Sequence, residues 1–312
     1  MSPNLAIVIP AYKAEFLKQT LQSIRDQSDQ RFSLYIFDDA SPDNIEHVIQ
    51  QIAYTSDVTF KRFDRNLGKE SLTKQWERCI AETTGEEWIW LFSDDDLMTE
   101  DSVKSFYRSI EQNPGFSAYR FDTKKISSTG EVVRENRFPQ IFDGAEFLNH
   151  KLSYKQESYI VEYIFSRRAY NDINGFPDLP LAWASDDLFC LKLAEHGKIH
   201  SIDGGCVHWR YSDSNISGSN DRDHARLKLQ AASEFVDWIM DHSNIVQKLD
   251  PSDLPVTWFV RQIRSLLDQL TFADELKAVR SLAKHDKRVW KHYFKMKKNR
   301  SKIYGWLKKF SS

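Results

Sequence analysis

The stretch WIWLFSDDDLM, residues 88–98, runs five apolar side chains directly into three adjacent carboxylates, Asp94, Asp95 and Asp96. A short apolar run bounded by polar residues reads as a buried strand, so this segment is a strand with an acidic exit. Outward from it the pattern repeats. LAIVI (5–9), SLYIFD (33–38) and VTFKRF (58–63) read as three earlier strands. Helical patterns separate them: Phe16, Leu17, Thr20, Leu21 and Ile24 share one face of 14–27, and further helices are expected near 43–53 and 69–83. Such alternation implies an α/β fold, a mostly parallel, twisted sheet with helices on both faces. Ligands of these sheets bind beyond the carboxyl ends of the strands. Each exit here is polar: PAY (10–12), DDAS (38–41), DRNLGK (64–69) and SDDD (93–96).

Two readings suit the triple acid. Aspartates cap helices and favour their first turns. They also hold hard cations such as Mg²⁺ or Mn²⁺, which take one or two carboxylates and fill their remaining positions with phosphate oxygens and water. A cation would remove the repulsion among the three charges.

Downstream, Val103, Phe106, Tyr107 and Ile110 mark a helix over about 101–112, and FSAYRFDTKKISSTGEVV reads as a strand and hairpin turning near Thr129-Gly130. A second acid pair, Asp186-Asp187, opens a helix whose apolar face includes Leu188, Leu191 and Leu193; capping is again the plain alternative. IHSIDGGCVHWRYS suggests two short strands, and from about Asp221 the pattern is helical to the end.

Composition sets outer limits. With 312 residues, 41% of them hydrophobic, the chain is one large domain or one domain with an appendage. Its net charge of −2 excludes a polyanion binder as a whole, but the charge is unevenly spread. From Lys284 onward eleven Lys or Arg face Asp286 alone, a local +10, so the remainder carries −12. Cys79, Cys190 and Cys206 show no CxxC spacing, which argues against a zinc ribbon or disulfide framework and suits a reducing compartment. MSPNLAIVIPAYK has no basic region before its apolar run and reads as a strand, not a signal peptide. No apolar run approaches ~18 residues, so no transmembrane helix is expected.

The ordered motifs resemble family-2 glycosyltransferases with the glycosyltransferase A-type (GT-A) fold, over about residues 5–217. IVIPAYK is similar to the family's first strand and Pro-x-Tyr turn, and IFDDAS to its Val-Asp-Asp-Gly-Ser pattern. RNLGK resembles the Asn-x-Gly step, LFSDDDLM the Asp-x-Asp metal motif, and INGFPDLPLAWASDDLFCLKLAEHGKI the Gly-Gly-Phe and Glu-Asp segment with its helix. The resemblance implies a metal-dependent, inverting transfer of a hexose-type sugar from a UDP-sugar to a glycan or lipid-linked glycan, in bacterial surface polysaccharide synthesis.

By the same resemblance Pro10, Ala11 and Tyr12 line the base and ribose, and Asp39 accepts the uracil N–H. Arg65 and Asn66 sit near the base, with Gly68 letting backbone approach the nucleotide. Asp94 faces the sugar and ribose. Asp95 and Asp96 hold Mn²⁺ or Mg²⁺, with His208 as a further ligand. Asp187 is the general base, and Trp183 and Asp186 meet the acceptor. The implied division is a catalytic domain over 1–218, its nucleotide half at 1–98 and acceptor half at 99–218, followed by a helical region over 219–312. The chain departs from the pattern at Asp186, usually Glu, at Leu72-Thr73-Lys74, usually Ala-Arg-Asn, and at Ser212, usually His, in the segment ending at Ser217.

The closing stretch interleaves lysines with Trp290, Tyr293, Phe294, Tyr304, Trp306 and Phe310. It reads as an interfacial segment on an anionic membrane, as an appendage whose aromatics dock on the body, or, least favoured, as a basic aromatic segment for nucleic acid. A cytoplasmic protein, peripheral at the inner face of the plasma membrane, is the expectation, with no nucleic-acid partner. Two other classes compete: a sugar-nucleotide nucleotidyltransferase, disfavoured because IPAYKAEF lacks the glycine-rich loop, and a non-catalytic carbohydrate-binding protein, disfavoured because both acid clusters are present.

Overall fold

The structure, a computed structural model, describes residues 4–52, 58–211 and 221–310, apart from the side chains of 300–310. The chain forms two compact units, Met1–Asp178 with Ser185–Asn215, and Leu179–Ala184 with Ile216–Ser312.

The first unit begins with β1 (Leu5–Ala11), α1 (Leu17–Arg25), β2 (Ser33–Asp38), α2 (Ile45–Gln50), β3 (Val58–Arg62), α3 (Leu72–Ala81) and β4 (Trp88–Leu91). It continues with β5 (Leu97–Met98), α4 (Ser102–Gln112), β6 (Ala118–Arg120), β7 (Thr123–Ile126), β8 (Val132–Asn136), β9 (Ile141–Phe142) and α5 (Gly144–Lys151). After β10 (Tyr163–Ser166) and α6 (Arg167–Asp172) come α7 (Ser185–Gly197), β11 (Ile199–Ser201) and β12 (Val207–Arg210). Among the described residues, eight strands form one sheet in the order β3-β2-β1-β4-β10-β6-β11-β9, and four form a second, β5-β12-β7-β8.

β1 runs parallel to both β2 and β4. Leu5 through Ile9 are fully buried, the mark of a strand covered on both faces, which explains its unbroken apolar run. The aromatic run of β4 has the same cause. Trp90 is fully buried, stacks on Phe121 and donates its indole N–H to the Val161 carbonyl at 2.7 Å, the partner a buried tryptophan needs. The expected parallel arrangement covers the first four strands. Beyond β4 the sheet is mixed: β10 is antiparallel to both β4 and β6, with Ile164 opposite Trp90 and Tyr119. The expected hairpin is present as β7–β8, turning through Gly130 at φ +88°.

The second unit is helical: α8 (Arg222–Asp241), α9 (Ser243–Val246), α10 (Leu254–Ser265), α11 (Phe272–Leu282) and α12 (Arg288–Phe310). Phe235, Ile239, Phe259, Ile263, Val279 and Leu282 are fully buried in it. The two faces of α12 differ. Tyr293 is buried and donates to Glu275 at 2.7 Å, and Lys297 pairs with the same carboxylate at 2.9 Å. Phe294 is exposed beside exposed Lys291, Lys295 and Lys298. The side chains of Tyr304, Trp306 and Phe310 lie outside the described residues. Among the described residues no helix is long and apolar enough to cross a membrane.

Candidate functional site

Hydrogen bonds tie the strand exits into one crescent. As the chain leaves β1, the backbone N–H groups of Tyr12 and Lys13 both donate to Asp94 Oδ2, beyond β4, at 2.7 Å. The Ser41 hydroxyl donates to the Tyr12 carbonyl, and the Ser41 backbone donates to Asp38 Oδ1 at 2.7 Å. Arg62, at the end of β3, pairs with Asp38 and donates to the Ser41 carbonyl at 2.9 Å. The backbone at Tyr12 is thereby fixed from both sides while the residue as a whole remains 40% exposed. Pro10 and Ala11 stand in register with Phe37 and Asp38.

Asp39 is buried and nearly saturated. Its Oδ1 accepts from Leu67 N at 2.8 Å and Arg78 Nη2 at 2.7 Å, and its Oδ2 from Gly68 N at 2.8 Å. A carboxylate offers about four acceptor sites, so one direction on Oδ2 is left. A Cβ on Gly68 would lie 2.7 Å from that oxygen. Gly68 therefore leaves room for the protein's own carboxylate. Ala40, where the resembling pattern has glycine, sits at φ +50°, a left-handed conformation that costs a side chain roughly 1–2 kcal/mol. Asn66 Oδ1 accepts from Lys69 N at 2.7 Å and closes the turn, whereas Arg65 is exposed and only loosely paired with Glu70 at 3.9 Å.

The acid triplet is braced from behind by β12. Arg210, itself buried, donates from its backbone N–H to Asp96 Oδ1 at 2.6 Å and from Nε to the Asp95 carbonyl at 2.8 Å. Asp96 is 1% exposed, while Asp94 and Asp95 are half-buried. Burial, then the Asp95 charge, pushes the Asp94 carboxyl up to about 6 and that of Asp96 well above the usual range. Asp95 Oδ1 accepts the Ser93 hydroxyl. His208 is half-buried on β12, in register with Leu97; burial, then the Lys124 and Arg210 charges, lower its pKa and favour the neutral imidazole that metals bind. Among the described residues no three His, Cys, Asp or Glu side chains are grouped as a metal cage. A cation that completes its shell with phosphate oxygens needs no such cage, and buried acids carrying uncompensated repulsion fit one.

Asp186 and Asp187 occupy the first turn of α7, held by a separate set of contacts. Asp187 is buried, and Lys151 Nζ, from the end of α5, lies 2.6 Å from its Oδ1. Asp186 Oδ1 accepts from Asp187 N at 2.9 Å; burial, then the Asp187 charge, pushes its carboxyl up to about 7. Just upstream, Leu181, Ala182 and Ala184 all hold positive φ, a concentration of backbone strain. Trp183 falls in the second unit, with the Lys228 ammonium 5.1 Å from its ring centroid. Ser212 and Ser217 lie outside the described residues.

Lys151 and Arg78 were not foreseen. Each meets its aspartate only through folding, Arg78 and Asp39 being 39 positions apart, and no local pattern marks either.

The raised Asp186 carboxyl sets a sign for stability against pH. Its native pKa lies above the unfolded value of about 4, so between roughly pH 4 and 7 the native state binds more protons, and stability falls as pH rises. Asp186→Asn removes that loss. Its melting temperature, by differential scanning fluorimetry without ligand, is expected to exceed the parent's at pH 8 and to converge with it at pH 4; equal melting temperatures at both pH values would contradict this.

The model of the family described as glycosyl transferase family 2 matches residues 6–172. No curated protein matches the chain. Among solved structures, S. aureus TarS 1–349 in complex with UDP-GlcNAc is similar, with a TM-score of 0.68 and 14% identity over 92% of this chain and 83% of that one. The mannosyltransferase PcManGT from Pyrobaculum calidifontis, in complex with GDP-Man and Mn²⁺, is similar with a TM-score of 0.54 and 15% identity over 95% of this chain and 85% of that one. These likenesses establish the fold as GT-A type.

Proposed function

The chain belongs to glycosyl transferase family 2, and from that premise we propose that it transfers a hexose-type sugar from a UDP-sugar to a glycan or lipid-linked glycan, with inversion and with the help of a divalent cation. The observation that carries the reading is the Asp94 carboxylate fastening the Tyr12–Lys13 backbone, which sets the turn proposed for the nucleoside beside the acids proposed for the diphosphate. Residues 1–98 would serve the donor and 99–218 the acceptor, with 219–312 as a helical region.

In this reading Tyr12 packs its exposed ring on the nucleoside, and Pro10, Ala11 and Asn66 shape the same end of the cleft. Asp39 offers the uracil N–H its remaining acceptor site. Asp95 is the favoured metal ligand, Asp96 supports it from the buried side, and His208 is the candidate third. The cation, when bound, offsets charge developing on the diphosphate. Asp187 takes the proton from the acceptor hydroxyl as that oxygen bonds to the anomeric carbon. The bond from this carbon to the diphosphate oxygen breaks on the opposite face, and its electron pair leaves with UDP. Asp186 and Trp183 are proposed for the acceptor side.

A donor screen tests the reading. With Mn²⁺ present, UDP-sugars are expected to raise the melting temperature by mass action and to release UDP slowly to water, with EDTA abolishing the release. A stronger shift with GDP-sugars, or UDP release indifferent to EDTA, would overturn it.

A further inference from the structure

Lys151 is a lysine held largely out of solvent, its side chain 19% exposed, and its surroundings account for it. Its Nζ lies 2.6 Å from Asp187 Oδ1 and donates to the Ser158 carbonyl at 3.2 Å. Asp187 Oδ1 is buried, and the ammonium beside it is its ion-pair partner. Behind Ser158, whose hydroxyl donates to Glu162 Oε1 at 3.1 Å, Glu162 is fully buried and pairs with Arg120 Nε at 2.8 Å. The charged groups on every side are thus Asp186 and Asp187 on α7, Lys151 on α5, and the Glu162–Arg120 pair beyond. Burial keeps the Cys190 thiol and the Tyr163 hydroxyl protonated. Arg120 is already engaged by Glu162 and, at 3.5 Å, by Asp122, so Lys151 is left as the counter-charge for the two aspartates, and one positive charge supports one carboxylate.

We infer that Lys151 is a positioning residue that assigns the base role to Asp187: standing 2.6 Å from Oδ1, its ammonium orients that carboxylate and leaves Oδ2 for the acceptor's proton. The inference rests on the proposed transferase reading and deepens it. Burial alone would lower the Lys151 pKa, yet the Asp187 charge and then that of Asp186 raise it, so the ammonium stays charged. Burial, then the Asp187 charge, displaces the Asp186 carboxyl upward, so it takes up a proton more readily than an ordinary aspartate.

The test uses the full chain with carboxyl-¹³C aspartate, titrated from pH 4 to 9, and UDP release from UDP-sugars over the same range. In the parent, Asp186 is expected to titrate near neutrality. In Lys151→Met the Asp186 titration and the acid limb of UDP release are expected to move up by about one to three pH units, with Lys151→Arg largely restoring both. An unmoved titration and limb in Lys151→Met would overturn the inference. Loss of UDP release in Asp187→Asn with an unmoved Lys151→Met profile removes the role of Lys151 alone; UDP release retained in Asp187→Asn removes the base assignment itself. If Lys151→Met does not fold, the double variant with Asp187→Asn is expected to fold again, because both charges are gone, and its failure would equally overturn the pairing.

Discussion

With asparagine at position 187, UDP release is expected to fall about 10²–10⁴-fold, the usual worth of a positioned general base, while UDP-sugar affinity stays within about twofold of the parent. Asparagine keeps the shape of the side chain and removes its basic oxygen. It also frees the Lys151 ammonium, which would then stabilise the charge of Asp186, only one residue away. That compensation predicts a folded variant, so a donor-induced rise in melting temperature should survive the loss of turnover. Kinetics at saturating donor, read beside calorimetric binding of the same UDP-sugar, separate the two effects. Retention of more than about a tenth of the parental kcat would exclude Asp187 as the base.

The second large effect is expected at Asp95. Asp95→Asn should lower kcat/KM by about 10²–10³-fold, because charge stabilisation by a bound metal is worth several kcal/mol and each 1.36 kcal/mol is tenfold in rate. Unlike the first variant, it should weaken UDP binding in the presence of Mn²⁺ and leave binding without metal nearly unchanged. Titration of Mn²⁺ by electron paramagnetic resonance, with and without UDP, reads this directly. Asp96→Asn is a different case, since Asp96 Oδ1 accepts the Arg210 backbone N–H from a buried position. Equal affinity of parent and Asp95→Asn for Mn²⁺–UDP would remove Asp95 from the metal site.

Much of this architecture was legible in the sequence where burial on both faces leaves an unbroken apolar run. β1, β2 and β4 announced themselves in this way, and their polar exits marked where function was to be sought. Legibility stopped where contacts are brief or distant. β5 and β9 have two residues each, too few for any periodicity. The reversal of direction at β10 depends on which strand YIFS pairs with, and nothing within those four residues specifies a partner. At the candidate site the acids were visible because identical charges in succession need a reason. Their partners were not. Arg78 on Asp39 and Lys151 on Asp187 are each set by the packing of a helix, and the need for glycine at position 68 became clear only from the carboxylate beside it.

A single oxygen of Asp94 holds two successive peptide groups of the neighbouring turn. Segments 10–13 and 93–96 are consequently coupled through that one carboxylate, and a substitution that removes it at position 94 releases the turn after β1 as well.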